Sequence, residues 1–434
     1  CKECGYPTCL AFAMKLAAKQ AELSACPYVS EEAKQKLAEA AAPPIRLITI
    51  SSDGRKIEAG NETVLFRHEK TFYHAPGLIV RVRDTQPLDE VQALAKQVND
   101  YVVDYVGMSL TYDGLAVEAA SGDAASFAAC VKAVRSAADL PLVLIADDPA
   151  LLKAGLDEMD GGTPLLYAAT DENWADMAAL AKEAKAPLAV RAGDLNGLAT
   201  LTEQVKGAGV EDIVLDPAVR DFAGSLAILT QIRRLALKKN FRPLGYPIIT
   251  FPGEGANGPE EEALLAAQHI AKYAGFVVMD HFSLATAYGL LVLRANIFTD
   301  PQKPIQVEPG IYEINEPDAE APVMVTTNFS ITYFAVKNEI EGGGFPGWLL
   351  VADAEGMSVL TAWAAGKFDA EKIAKTVKGT SIESKVDHRR VIIPGHVAVL
   401  LGELEEELPG WEIKVGPREA VDLPAYLKSG LWQQ

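Results

Sequence analysis

The sequence predicts an α/β protein in three parts: a small cysteine-rich N-terminal module, a central (β/α)8 TIM barrel and a C-terminal doubly wound α/β domain. Three observations carry that expectation. Four of the five cysteines lie in the first 26 residues. After them, short apolar runs alternate with helical patterns, strand then helix, as far as the region of Pro301. Past a proline-rich stretch, a shorter series of strands ends in small, polar, glycine-bearing loops.

The cysteine module reads Cys1-x2-Cys4-x4-Cys9-x16-Cys26. Four thiolates are the ligand set of a [4Fe–4S] cluster. A disulfide framework suits a small secreted domain, but no secretory signal is visible and only Cys130 remains elsewhere. Zinc usually takes two matched cysteine pairs. Here three ligands crowd together and the fourth comes from afar, which favours a cluster and leaves zinc as the alternative. Gly5 and Pro7-Thr8 bend the chain between ligands. Leu10 to Lys19 reads as a helix with Leu10, Ala13, Met14 and Ala17 on one face.

Composition narrows the setting. The 434 residues allow two or three domains with sizeable cores. No apolar run is long enough to span a bilayer. The formal charge of −19 disfavours nucleic acid and anionic membrane as partners, though acidity also simply keeps a protein soluble. The first 42 residues carry five Lys and five Glu, so the acidity belongs to the rest. Reduced thiols point to a cytoplasm, an anaerobic one. The chain starts at a cysteine rather than a methionine, which points to a further N-terminal piece.

Prolines set the expected boundaries. Ala38 to Pro44 ends the module, and Phe298 to Pro322, with five prolines, reads as a linker. The units expected are 1–42, 43–310 and 311–434. In the middle unit the candidate strands are Arg46–Ser51, Leu78–Val82, Tyr105–Leu110, Leu142–Ala146, Leu165–Ala168, Leu188–Arg191, Asp212–Leu215, Pro247–Phe251 and Phe276–Met279. Repeated βα units mean a parallel sheet, and close to eight of them favour a closed barrel. Nine candidates are one too many, so Arg46–Ser51 or Leu78–Val82 is expected to form a capping hairpin. Asp147-Asp148, Asp216 and Asp280-His281 stand at strand ends, where they serve catalysis or cap the next helix. No metal triad and no nucleophile–base pair stands out.

The last unit reads as strand Val323–Val325, helix Ile331–Ile340, strand Trp348–Ala352, helix Val359–Ala365, and strands Arg390–Ile393 and Trp411–Val415. Open α/β sheets bind ligands at the carboxyl ends of their strands. Gly356, Gly395 and Gly416 let backbone approach a ligand there. Thr326, Thr327, Ser358 and Thr361 add hydroxyls. Each loop alone is equally well an ordinary turn. Neither GxGxxG nor GxxxxGK[ST] is present, which speaks against dinucleotides and P-loop nucleotides.

Taken together, ECGYPTCLAFAMKLA, VTTNFSITYF, SVLTAW and VGPREA closely resemble the large (gamma) subunit of the corrinoid iron–sulfur protein of the reductive acetyl-CoA (Wood–Ljungdahl) pathway. The similarity runs over essentially the whole chain. The cysteine module by itself is less specific, since electron-transport subunits of the Rnf type share its pattern. The resemblance implies one [4Fe–4S] cluster on Cys1, Cys4, Cys9 and Cys26. It implies a cobamide on the C-terminal domain, contacted by Thr326, Thr327, Asn328, Tyr333, Gly356, Met357, Ser358, Val359, Leu360, Thr361, Gly395, Gly416, Pro417, Arg418 and Ala420. It implies a methyl carrier. By that resemblance, Co(I) accepts a methyl group from methyltetrahydrofolate, or a methyltetrahydropterin, and methyl-Co(III) delivers it to the nickel site of acetyl-CoA synthase. The cluster reactivates Co(II).

The partners implied are a small subunit completing a heterodimer, the methyltetrahydrofolate methyltransferase, acetyl-CoA synthase/CO dehydrogenase and an electron donor such as ferredoxin. The Phe298–Pro322 linker is expected to give the cobamide domain freedom to meet each of them. The Asp-x-His-x-x-Gly signature of many cobalamin proteins is absent, so the cobamide is expected base-off with no protein nitrogen on cobalt and Thr361 near the vacant face. His388 reads as a solvated edge residue, and His396 is the one rival ligand. Two other functions stay open: an iron–sulfur electron-transfer protein without corrinoid, and a barrel that is itself a pterin-dependent methyltransferase.

Overall fold

The computed structural model describes residues 3–17, 25–30, 43–300 and 304–433. It divides into two compact units. One comprises Cys1–Leu65, Tyr73–Lys96 and Asp113–Phe282; the other comprises Phe66–Phe72, Gln97–Tyr112 and Ser283–Gln434.

The first unit is built on a hairpin and a barrel. Strands β1 (Ile48–Ser51) and β2 (Lys56–Ala59) pair antiparallel. Next comes β3 (Gly77–Arg83), the first of the barrel strands. In the second unit, β4 (Val102–Tyr105) and β5 (Met108–Thr111) form another antiparallel hairpin. Seven more barrel strands follow: β6 (Gly114–Glu118), β7 (Leu142–Ile145), β8 (Leu165–Ala169), β9 (Leu188–Arg191), β10 (Ile213–Asp216), β11 (Ile248–Thr250) and β12 (Ala274–Met279). All eight are parallel and close in the order β10-β11-β12-β3-β6-β7-β8-β9. Ile48, Ile50 and Ile57 of the first hairpin join Ile79, Val143, Ala189, Val214, Ile249 and Phe276 in one buried cluster, so the barrel is a packed core and not a pore.

Two expectations need correction here. Arg46–Ser51 is indeed hairpin, and Leu78–Val82 is a barrel strand. Tyr105–Leu110, however, is no single strand. Val106 and Gly107 both have positive φ, 45° and 81°, the signature of a two-residue turn that folds the run back on itself. The barrel strand overlooked is Gly114–Glu118, whose five residues follow that hairpin almost directly.

The aspartates at strand ends also divide. Asp148 does cap the helix Pro149–Asp157, accepting from the Ala150 amide at 2.8 Å. Asp216 and Asp280 instead enter a lattice of ion pairs. Asp216, fully buried, accepts from both terminal nitrogens of Arg220 at 2.8 Å and from the Tyr167 hydroxyl at 2.6 Å. Arg81, with only 3% of its side chain exposed, makes a paired contact with Asp280 at 2.7 and 2.9 Å and reaches Glu254 at 2.9 Å. Burial opposes the charge on Arg220, but the Asp216 hydrogen bond and charge outweigh it, and the pKa is raised. Burial would also raise Asp280, yet Arg81 holds its carboxyl below the usual range.

His269, on the helix Pro259–Ala271, is 2% exposed, and neither ring nitrogen has a partner among the described residues. Burial, helped by the charge of Arg220, lowers its pKa to about 4. The unfolded chain therefore takes up a proton near pH 6.5 that the folded chain refuses. Stability is expected to fall by about 3 kcal/mol as pH drops from 6.5 to about 4, roughly 2 kcal/mol of it above pH 5. In denaturation titrations, His269→Leu should flatten the dependence between pH 6.5 and 5; an unchanged slope would remove His269 as its cause.

The second unit contains a five-stranded sheet. Its strands are β13 (Gly310–Ile314), β14 (Val323–Thr327), β15 (Gly347–Ala352), β16 (Arg390–Ile393) and β17 (Glu412–Val415), in the order β13-β15-β14-β16-β17. Only β13 runs antiparallel. Successive residues of β14 face opposite sides: Val323 and Val325 join one core cluster, Met324 the other. A strand buried on both faces reads as a continuous apolar run, as this one does. Strand β13 lies inside the stretch expected to be linker. Residues 304–307 are also tied down, with the Val307 amide donating to Asn328 O and the Ser330 amide to Ile305 O. Much of that stretch is thus structured within this unit.

Candidate functional site

Two places carry the candidate chemistry. In the cysteine module, the helix runs Cys9–Ala17. Thr8 starts it, its hydroxyl accepting from the Ala11 amide at 3.1 Å. Phe12 is buried, while Leu10, Ala13 and Met14 are exposed. Tyr28 donates to the Glu3 carboxylate at 2.9 Å, which brings the Cys26 segment back beside that of Cys4. Cys9 is exposed, and Cys4 and Cys26 are half-buried. Cys1 lies outside the described residues. Among those described, no three His, Cys, Asp or Glu side chains are gathered as a metal group.

The second place is a cleft of about 310 Å³ in the C-terminal sheet unit. It opens at the carboxyl ends of β14, β16 and β17, where the chain leaves β14 for β15 on one side and β16 lies on the other. This is the switch point at which doubly wound sheets hold ligands. Of the candidate contacts, Thr326, Ser358, Val359, Leu360, Gly416, Pro417, Arg418 and Ala420 line it. His396 lines it too, with Nε2 3.7 Å from Glu419 Oε1. The other wall is apolar: Met324, Ile331, Ala335, Val336, Ile392 and Leu423.

Three buried hydroxyls, Thr326 Oγ1, Thr327 Oγ1 and Ser330 Oγ, have no hydrogen-bond partner among the described residues. Each such group costs about 1–3 kcal/mol unless something satisfies it.

The remaining candidates do not line the cleft. Thr361 pairs with Ser358, hydroxyl to hydroxyl, at 3.0 Å. Met357 packs against the core below. Asn328 and Gly356 hold loops rather than cleft wall. Tyr333 sits in the second core cluster, 4.8 Å from the ring of Tyr312 and 4.9 Å from that of Phe334. It faces the core because the helix Ser330–Gly342 turns Ile331, Thr332, Ala335 and Val336, not Tyr333, toward the cleft. Those four were missed from sequence; their spacing of i, i+1, i+4 and i+5 was the available signal. His388 is half-buried, with both ring nitrogens engaged: its Nε2 bonds Ala321 O at 3.0 Å and its Nδ1 accepts from the Arg390 amide at 3.2 Å.

Gly395 earns its place by close approach. A Cβ there would lie 2.5 Å from Gly416 O and 2.9 Å from the Arg418 amide. Gly395→Ala should push the 416–418 loop outward and destabilise the domain by about 1–3 kcal/mol. Thermal unfolding reads the loss; a wild-type midpoint would show that the loop gives way freely.

The comparisons with known proteins agree with this anatomy. Residues 47–427 match the family described as CO dehydrogenase/acetyl-CoA synthase delta subunit, and residues 1–28 match a putative Fe–S cluster family. The chain is 46% identical over 431 residues to the corrinoid/iron–sulfur protein large subunit of Moorella thermoacetica, covering 99% of this chain and 96% of that one. It is 36% identical to the acetyl-CoA decarbonylase/synthase complex gamma subunits of Methanopyrus kandleri and of Archaeoglobus fulgidus, in each case over 99% of this chain and 95% of the relative. Among solved structures, dihydropteroate synthases from Yersinia pestis and Vibrio fischeri match 57% and 58% of this chain, and 99% and 100% of theirs. Identity is 13%, with TM-scores of 0.39 and 0.40. That likeness adds nothing to the barrel already read from the strand order.

The family match and the full-length relatives thus mark a subunit of the CO dehydrogenase/acetyl-CoA synthase system. More narrowly, the chain belongs to the corrinoid/iron–sulfur protein large-subunit family, the gamma subunits of acetyl-CoA decarbonylase/synthase. The matching family description says delta, but the full-length relatives are large or gamma subunits, and their similarity takes in the cysteine module.

Proposed function

We propose that this chain is a methyl carrier that holds a cobamide in the C-terminal cleft and one [4Fe–4S] cluster on Cys1, Cys4, Cys9 and Cys26. The observation that carries the reading is the cleft: an apolar wall faces a polar edge with an orphaned hydroxyl, Thr326 Oγ1, at a sheet switch point. These residues fit a large, flat cofactor with polar side arms. A bound cobamide supplies the centre that takes up and releases the methyl group. Met324, Ala335, Val336, Ile392 and Leu423 would keep water from the buried part of the ligand, and Thr326 would hydrogen-bond it. Ser358, which lines the cleft, would offer its hydroxyl to the ligand, with Thr361 paired behind it. The four cysteine thiolates would hold the cluster that supplies single electrons.

Ile331, Leu360, Trp363, Val399 and Val421 are exposed apolar side chains on or close to the loops around the cleft. Such a rim suits coverage by the small subunit of a heterodimer. The further partners are a methyltetrahydrofolate or methyltetrahydropterin methyltransferase, acetyl-CoA synthase/CO dehydrogenase and a ferredoxin-like donor. No helix among the described residues is long and apolar enough to cross a membrane, and the proposed setting is the cytoplasm.

Metal and sulfide analysis of the anaerobically purified protein tests this. The expected ratio is one [4Fe–4S] cluster to one cobamide. Iron and sulfide without cobalt would replace the reading with a plain electron-transfer protein. Electron paramagnetic resonance of the cobalt should lack nitrogen superhyperfine splitting. Splitting that disappears in His396→Ala would make His396 the ligand.

A further inference from the structure

The side chain of Asn328 has a use that the cleft itself does not explain. Asn328 follows β14 directly and is 2% exposed. Its Oδ1 accepts from the Ala354 amide at 2.9 Å and the Gly356 amide at 3.0 Å. Its Nδ2 donates to Gln306 Oε1 at 3.0 Å, with Asp353 Oδ1 farther off at 3.4 Å. Its backbone amide donates to Ala352 O, and its backbone carbonyl accepts from the Val307 amide, both at 2.9 Å. A side-chain amide offers two acceptor and two donor positions, and here both ends are engaged at once.

The two bodies so joined are distinct. One is the loop Asp353–Ser358, which ends in the Ser358–Thr361 hydroxyl pair. The other is the strap Pro304–Val307, laid alongside residues 328–330. The loop has a conformation that needs outside support. Glu355 and Gly356 both have positive φ, 55° and 71°, and for a glutamate that region is unfavourable. The strap also presses on the loop: a Cβ on Gly356 would lie 3.2 Å from Pro304 O and 3.3 Å from Gln306 Oε1. One exposed contact, Lys367 to Glu355 at 2.6 Å, holds the loop from its outer side.

We infer that Asn328 is a positioning residue, clasping strap and loop together so that the register of Pro304–Val307 sets where Ser358 and Thr361 stand. The part that concerns the bound cofactor rests on the proposed cobamide site; the clasp itself does not. A carboxylate in place of the amide could not donate to Gln306 and would bring a buried charge beside Asp353, which is why asparagine suits this position.

Gln306 is exposed, so Gln306→Ala removes one arm of the clasp with little risk to folding. Hydrogen–deuterium exchange of the full chain, followed over residues 350–360, is the first measurement. Exchange at the Ala354 and Gly356 amides should rise about tenfold in Gln306→Ala, the change expected for one lost hydrogen bond of ordinary strength. Gln306→Glu keeps the acceptor oxygen and should restore slow exchange. The same rise in Lys367→Ala alone, with wild-type exchange in Gln306→Ala, would overturn the clasp and give the loop to the outer ion pair. Exchange needs no cofactor, so this arm stands even if cobalt is absent. In cobalt-loaded protein, Gln306→Ala should shift the visible spectrum or the reduction potential of the bound cobamide while its stoichiometry stays the same. An unchanged spectrum and potential beside faster exchange would overturn the inference that the clasp positions the cofactor loop.

Discussion

Cys9→Ala is expected to abolish the [4Fe–4S] signal of the protein and, with it, reactivation by an electron donor. Cys9 opens the helix Cys9–Ala17 and is exposed. Alanine is a good residue for a helix, and the Thr8 hydroxyl that caps this one is untouched. The variant should therefore fold, and the loss should come from the missing thiolate alone. Methyl uptake should survive when the cobamide is reduced chemically, because the cleft lies in the other unit. The check is low-temperature electron paramagnetic resonance of the reduced protein beside a methyl-uptake assay. An intact four-iron signal in the variant would sink the ligand assignment.

The largest loss of stability is expected from Asp216→Ala. The carboxylate is completely buried and holds three groups at once: Arg220, the Tyr167 hydroxyl and the Ala218 amide. Removing it leaves a phenol without its acceptor in the barrel core and a guanidinium with Glu254 and the ring face of Phe251 but no buried carboxylate partner. Breaking a buried ion pair from one side costs about 3–5 kcal/mol, a large part of the stability of an ordinary domain. Denaturant unfolding should show the midpoint fall accordingly. A change below ~1 kcal/mol would mean that water enters the mouth of the barrel and screens Arg220. The same lattice bears on the idea of a pterin-binding barrel. Arg81, Arg220, Asp216, Glu254 and Asp280 satisfy one another at the carboxyl ends of the strands, the place where a barrel enzyme presents its reactive groups.

Much of the architecture was legible because it follows from local pattern. A buried parallel strand is a short apolar run, and seven of the eight barrel strands read that way. The six C-terminal elements named from the sequence were read to within a residue or two, while the helices Ala370–Gly379, Leu401–Glu407 and Leu423–Ser429 were not named. The failures have a common cause. Tyr105–Leu110 has the alternation of a strand, and nothing in its polarity reveals that Val106 and Gly107 reverse direction. Gly310–Ile314 was hidden among prolines, since an edge strand at a sheet border carries little apolar signal. In the site, loops could be named by their glycines and hydroxyls, but not the side of a helix that turns toward them. Hence Tyr333 was expected in the cleft and lies in the core, while Ile331, Thr332, Ala335 and Val336 were overlooked.

The sequence by itself determined the family, the cysteine spacing of the module, the barrel and the doubly wound domain. These rest on residue identity and on periods of two and 3.6 along the chain. Only the tertiary structure decided which aspartates cap helices and which neutralise arginines. It also decided which hydroxyls are left without partners and that Asn328 joins strap to loop. Such facts depend on groups far apart in sequence, Arg81 with Asp280 or Gln306 with Asn328, meeting at hydrogen-bond distance. No local pattern encodes a distance across the fold.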